Sequence, residues 1–171
     1  MLSQKMQDAL NAQINAELWS AYLYLSMSMD ASVKGYKGIA NWFAIQFKEE
    51  QDHAQIFMDY VLARGGQVKL APIAEVQTEW ETLAAMFNDT LTHERKVTAM
   101  IDNLCRIADE EKDFATANKL IWFVNEQVEE EENARDILDQ LHMVDGSKMG
   151  TYMIDRELGT RVYMAPAVAA E

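Results

Sequence analysis

The sequence has one cysteine, two prolines, seven glycines and no apolar run long enough to span a bilayer. The lone Cys105 excludes an internal disulfide framework and fits a reducing compartment. So little Gly and Pro leaves few turn signals, while Ala, Leu, Met, Glu and Gln abound, so an all-α fold is expected. Basic residues are scarce as well. Lys and Arg number 15 against 28 Asp and Glu, a formal net charge of −13. That balance argues against nucleic acid as a partner, because phosphate binding needs clustered cations. Metal cations suit it better, since an acidic surface concentrates them and speeds their encounter. The segment Met1 to Asp8 lacks a basic stretch followed by an apolar one, so the expectation is no membrane partner and a cytoplasmic address.

At 171 residues the chain is long enough for one domain with a substantial core and too short to need two. A stripe through Leu10, Ile14, Ala21 and Leu25 predicts a first helix from about Ser3 to Val33, ended by the Gly35 to Gly38 break. A second is expected over about 38–64, stopped by Gly65-Gly66 as a left-handed cap. The third is expected to open at Thr78-Glu79-Trp80-Glu81, which reads as a capping box, and to run to about Ala108. After a turn at Asp109 to Lys112, a fourth helix is expected from about Asp113 to Met143, then a short fifth over about 147–158 and a flexible tail over 162–171. Gly65 to Gln77 contains Pro72 and no helical stripe. Its thirteen residues can reach about 43 Å, and a helix of 28 residues is about 42 Å long, so the loop can cross the full bundle. The expected fold is a four-helix bundle over about 3–143 with one long crossover.

What the chain does contain is a repeat of polar residues. Glu17, Glu50 and His53 are answered 77 positions later by Glu94, Gln127 and Glu130, with a gap of 33 inside each half. Each helix places these residues on its inward seam: Leu10, Ile14, Glu17, Ala21, Tyr24; then Phe43, Phe47, Glu50, Ala54, Phe57, Val61, with His53 beside it; then Leu83, Phe87, Thr90, Glu94, Val97, Ile101, Leu104; then Leu120, Phe123, Gln127, Glu130, Ala134, Ile137, Leu141. The seams are apolar except near mid-height. Burying ionised carboxylates without partners costs several kcal/mol each, and no Lys or Arg falls on these seams, so a cation must compensate them. Carboxylates with an amide and an imidazole suit iron, manganese or zinc, and two matched half-sites point to a pair of metals. The residues alone leave open a storage protein, a di-metal redox enzyme on the same bundle, and a metal-free helical interaction protein.

With this ligand pattern, one crossover and a short fifth helix, the chain resembles the ferritins, and most closely the bacterial non-haem ferritins. The resemblance implies iron as the metal. It puts Glu17, Glu50 and His53 on one iron, and Glu50, Glu94 and Glu130 on the second, with Glu50 bridging and Gln127 ligating or orienting. It implies a third iron site toward the inner surface, at Glu49, Glu126, Glu129 and Glu130, while Glu131 and Glu132 are simply solvated. Tyr24 stands where such ferritins place a tyrosine near the iron pair that can donate an electron. Bacterioferritins carry a haem-ligating Met directly after the bridging Glu; Gln51 stands there, so haem is not expected. Animal ferritins line their three-fold pores with acidic residues where this chain has Ala117 and Leu120, so that access route does not carry over.

The activity so implied is ferroxidase chemistry: oxidation of Fe2+ by dioxygen or peroxide at a di-iron site, followed by mineral storage in a hollow homo-oligomer of 24 subunits. Among the remaining polar residues, Trp122 is expected to pack between helices, and His93, about 100° around the helix from Glu94, to be exposed. His142 is expected at the helix-four C-terminal dipole. The eleven Met residues are scattered and read as core and contact filler.

Overall fold

The computed structural model describes residues 1–166; residues 167–171, and with them the end of the expected tail, lie outside the described residues. Five helices follow in order: α1 (Gln4–Val33), α2 (Lys37–Ala63), α3 (Leu83–Glu111), α4 (Phe114–Val144) and α5 (Lys148–Leu158). Among the described residues there is no strand, and no helix is long and apolar enough to cross a membrane. Ser3 caps α1 by accepting from Met6 N–H, and the buried face then recurs in three- and four-residue steps through Leu10, Ile14, Glu17, Ala21 and Tyr24. Gly65, at φ +73°, takes the left-handed conformation that closes α2.

The crossover sets the topology, and α1 fixes its path. Gln67 N–H donates to Gln7 Oε1, Lys69 N–H to Asn11 Oδ1, Asn15 to the carbonyl of Ala71 and Trp19 to that of Glu75; Ser26 then donates to Gln77 O and Trp80 N–H to Asp30. Positions 7, 11, 15 and 19 lie on one face, so α1 offers a polar ladder that satisfies an otherwise irregular backbone. The segment climbs α1 from its first turns to its last. Since α2 runs back down α1, α3 must start at the end where α2 started and lie parallel to it. Arg64, closing α2, forks onto both oxygens of Asp113 at 3.1 Å and so joins the end of α2 to the start of α4.

Two boundaries differ from the sequence reading. Thr82, and not Thr78, caps α3, its hydroxyl accepting from Ala85 N–H. Residues 78–82 stay outside the helix because Trp80 is buried, its indole N–H donates to Asp89, and its backbone is held by Asp30 and Lys34. Tertiary anchoring thus overrides a local capping signal. At its other end α3 continues past Ala108 to Glu111, where Lys112 adopts φ 56° and Asp113 caps α4.

The short α5 docks on the α1–α2 corner through Asp155, whose carboxylate accepts from Gly38 N–H and Ile39 N–H at 2.9 Å each, capping α2 from outside. Gly38 is required there: a Cβ would lie 1.5 Å from the carbonyl oxygen of Asp155. Beyond α5 the chain runs back over α2. Asn41 donates to Arg161 O, and Tyr163 O–H to Asp52, so part of the expected flexible tail is packed.

The apolar core forms two clusters. One contains Tyr24, Met27, Ile39, Phe43, Met86, Phe87, Ile137 and Leu141; the other contains Met6, Leu10, Ile14, Phe57, Val61, Ile101, Leu104 and Phe123, with Phe57 and Phe123 stacked at 3.9 Å. The polar residues of the repeat lie between the two along each helix.

Candidate metal centre

All six residues of the repeat are buried, with Glu17 and Glu94 at 1 %, Glu50 at 2 %, His53 at 3 %, Glu130 at 4 % and Gln127 at 5 % exposure. Each comes from the middle of its helix, where an apolar seam of Leu, Ile and Phe continues above and below it, so burying the helix buries the carboxylate. Glu17, Glu50 and His53 each offer one ligand atom, and those atoms lie within 4.8 Å of one another. His53 Nδ1 is 3.6 Å from Glu50 Oε2 and its Nε2 is 3.9 Å from Glu126 Oε1, and Trp122 and Phe123 meet its ring edge-on at 5.6 and 6.1 Å. The other half-site is tied together by hydrogen bonds. Tyr24 O–H donates to Glu94, and Gln127 Nε2 donates to the second oxygen of Glu94 at 3.1 Å.

Among the described residues two buried side-chain oxygens accept no hydrogen bond: Glu17 Oε2 and Glu50 Oε2. Orphaned buried acceptors cost about 1–3 kcal/mol each, so a fold that keeps them needs another use for them. Their electrostatics agree. Burial drives the carboxyl groups of Glu17 and Glu50 well above the usual carboxylate range, and the neighbouring charges add to it: Glu50 on Glu17, Glu94 and Glu130 on Glu50. Burial likewise raises Glu94, opposed by its bonds from Tyr24 and Gln127, and pushes Glu130 up to about 8. Tyr24 is raised too, by burial and then by Glu94. With no cation the site holds protons, and a divalent ion would displace them. A cluster of carboxyl oxygens without hydrogen bonds and one imidazole fits a divalent transition metal.

Glu49, Glu126 and Glu129 flank this centre. Glu49 and Glu126 are half-buried and Glu129 is exposed. Burial raises both Glu49 and Glu126, and Arg161 opposes the rise at Glu49.

Three features escape the sequence reading. Gln13 donates to Glu17 Oε1 at 2.8 Å, and Gln46, fully buried, donates to Glu130 Oε2 at 2.7 Å. Both stand four residues before a repeat Glu, a spacing visible in the sequence. Gln46 also takes the place expected for Phe47, which is only half-buried. Arg161, from beyond the four helices, pairs with Glu49 at 2.8 Å, so the site is not free of basic residues as the seams alone suggest. His93, expected to be exposed, is instead half-buried: its Nε2 is 2.7 Å from Ser20 Oγ, Trp19 lies against its ring at 5.1 Å, and burial lowers its pKa to about 4. Helix periodicity places His93 off its own seam but is blind to α1 covering that flank.

A crossover four-helix bundle with clustered carboxylates at mid-height defines the class of helical carboxylate metal proteins. The sequence profile of the ferritin-like domain matches residues 7–144, and the chain belongs to the ferritin family. It is 44% identical over 161 residues to the bacterial non-heme ferritin of Bacteroides fragilis, covering 94% of this chain and 100% of that one. With the bacterial non-heme ferritin of Staphylococcus aureus it shares 34% over 163 residues, 95% of this chain and 98% of the relative. Among solved structures, the open pore ferritin of the hyperthermophilic archaeon Archaeoglobus fulgidus superposes with a TM-score of 0.94 at 46% identity, covering 95% of this chain and 100% of that one. A form of the same archaeal ferritin engineered to be closed gives 0.94 at 44% identity, covering 96% and 100%.

Proposed function

We propose that this chain is an iron-storing ferroxidase that takes Fe2+ as substrate, oxidises it at the mid-height centre with dioxygen or peroxide, and stores the ferric product inside a shell of 24 copies in the cytoplasm. The observation that carries this reading is the pair of buried carboxyl oxygens without a hydrogen bond on Glu17 and Glu50 beside His53, in a chain of the ferritin family.

In this reading Glu17, Glu50 and His53 hold one Fe2+, and Glu50, Glu94 and Glu130 hold the other. Gln127 and Tyr24 keep Glu94 oriented, and Gln13 and Gln46 do the same for Glu17 and Glu130. Anionic oxygen ligands favour Fe3+ over Fe2+. Two Fe2+ ions give one electron each to dioxygen, which with two protons leaves as hydrogen peroxide. The carboxyl groups of the empty site are a proton source, since iron binding displaces their protons. The products pass inward over Glu49, Glu126 and Glu129. The unequal halves support transit over permanent tenure, because Gln127 and Glu130 offer the second iron no imidazole to match His53.

The test is to add Fe2+ aerobically to the metal-free protein and to follow oxidation and particle mass together. Fast oxidation by a large closed particle that grows denser with iron supports storage. Oxidation by a small oligomer supports a di-metal redox enzyme instead, and inertness toward iron defeats the reading.

A further inference from the structure

Arg161 lies on the segment after α5, yet its guanidinium reaches the metal centre. Nη2 donates to Glu49 Oε2 at 2.8 Å and Nη1 to Gln46 Oε1 at 2.5 Å. Its position is fixed on three sides: it stacks over the Trp42 ring at 5.1 Å, its carbonyl accepts from Asn41, and Tyr163, two residues on, donates to Asp52 at 2.6 Å. Gln46 spans the gap between this cation and the centre, because its Nε2 donates to Glu130 Oε2 at 2.7 Å. An amide can present either end to a neighbour; a guanidinium, which only donates, settles the choice by taking the oxygen and turning the N–H toward Glu130.

We infer that Arg161 is a tethered cation at the inner mouth of the iron site, holding Glu49 and the amide of Gln46 until a metal ion displaces it from Glu49. This rests on the reading of Glu49 as an inner-site ligand. A divalent ion arriving at Glu49 must break a charge-assisted pair that is only about one-fifth to one-quarter exposed, with side-chain exposures of 25% for Arg161 and 19% for Glu49. Arg161 therefore weakens the inner position selectively. While Arg161 stays in place Gln46 holds Glu130 for the central pair, so iron is not drained inward before both central positions are filled. Releasing Arg161 also frees the Gln46 amide to rotate, which loosens Glu130, the residue common to the central pair and the inner site. Arg161 is thus a positioning residue that couples arrival at the inner site to the hold on the second iron.

The test uses Zn2+, which cannot be oxidised, titrated calorimetrically into the assembled, metal-free full-length protein. Wild type is expected to take two ions per chain tightly and a third more weakly. In Arg161→Gln the first ion should bind within about twofold of wild type, the second a few-fold more weakly because the Gln46 amide is no longer held toward Glu130, and the third about tenfold tighter, the size of a single charge-assisted pair lost. Adding Glu49→Gln to Arg161→Gln should abolish that gain. Arg161→Lys, which keeps a cation over Trp42 but lacks the fork, should give a gain of a few-fold and serves if Arg161→Gln does not assemble. A third ion bound equally or more weakly in Arg161→Gln overturns the inference, as does equal third-ion binding in Arg161→Lys and wild type. Failure of wild type to bind the first two ions instead overturns the metal-centre reading beneath it.

Discussion

Glu50→Gln is expected to make the metal-free protein more stable and the metal-loaded protein less so. Glu50 is 2 % exposed, its Oε2 accepts no hydrogen bond, and burial together with Glu94 and Glu130 sets its carboxyl against ionisation. The amide keeps the shape, is neutral without taking up a proton and can donate to those neighbours, so the relief is the penalty of one poorly compensated buried group, about 1–3 kcal/mol. In a chain of 171 residues each kcal/mol moves the melting temperature by about 2–4 °C, and a rise of about 5 °C is expected in chelator at pH 7.5. Saturating Zn2+ should reverse the order. At a hundredfold excess over Kd a site adds about 2.7 kcal/mol, and the variant loses that gain wherever Glu50 is a ligand. Scanning calorimetry at one fixed scan rate, with and without Zn2+, reads both effects. A variant less stable than wild type in chelator, or one that gains as much from Zn2+ as wild type, refutes the reasoning.

The remaining expectations concern pH, α5 and Tyr24. In the folded, metal-free protein burial raises the carboxyl groups of Glu17, Glu50 and Glu130 above the unfolded value near 4.5, so the stability they contribute below that pH is lost as pH rises, up to about 8 for Glu130. For Glu130 the slope is about 1.4 kcal/mol per pH unit within that window. His93 works in the opposite direction: lowered to about 4, it is neutral in the fold and contributes stability above 6.5 that is lost as pH falls toward 4. Urea midpoints of the metal-free protein should therefore fall between pH 6.5 and 8 while those of the Zn2+ form do not; parallel curves would count against the buried-carboxyl assignment. Gly38→Ala drives a Cβ into Asp155 O, and should cost about 1–3 kcal/mol and speed proteolysis between α4 and α5. Unchanged proteolysis would mean that α5 is not docked there. Tyr24→Phe removes a buried donor from Glu94, and should slow the first round of iron oxidation without changing how many Zn2+ ions bind; an unchanged rate would leave Tyr24 as core packing alone.

The bundle was legible because its cause is periodic. An apolar seam repeated at helical spacing dictates both the helices and their inward faces, and buried Glu17, Glu50, Glu94 and Glu130 lie on it. A single long gap between helices sufficed for the crossover. The misses have non-local causes. Thr78 carries a sound capping pattern, but Trp80 has a buried slot and partners in Asp30, Lys34 and Asp89 that no local window contains. His93 is covered by α1 residues more than seventy positions away, and Arg161 reaches Glu49 from 112 positions further along the chain. Gln13 and Gln46 were the readable omission, since each precedes a seam Glu by one turn.

The central claim is that six buried side chains gather two Fe2+ ions per chain and oxidise them together. Its most direct measurement is stopped-flow absorbance as Fe2+ is added in air, in steps of less than one ion per chain, to the metal-free protein and to Glu50→Ala. The expected result is a fast phase that saturates at about two iron ions per chain in wild type and is absent from Glu50→Ala, which still assembles as wild type does. A fast phase that saturates at another count, or that survives the loss of Glu50, would contradict it.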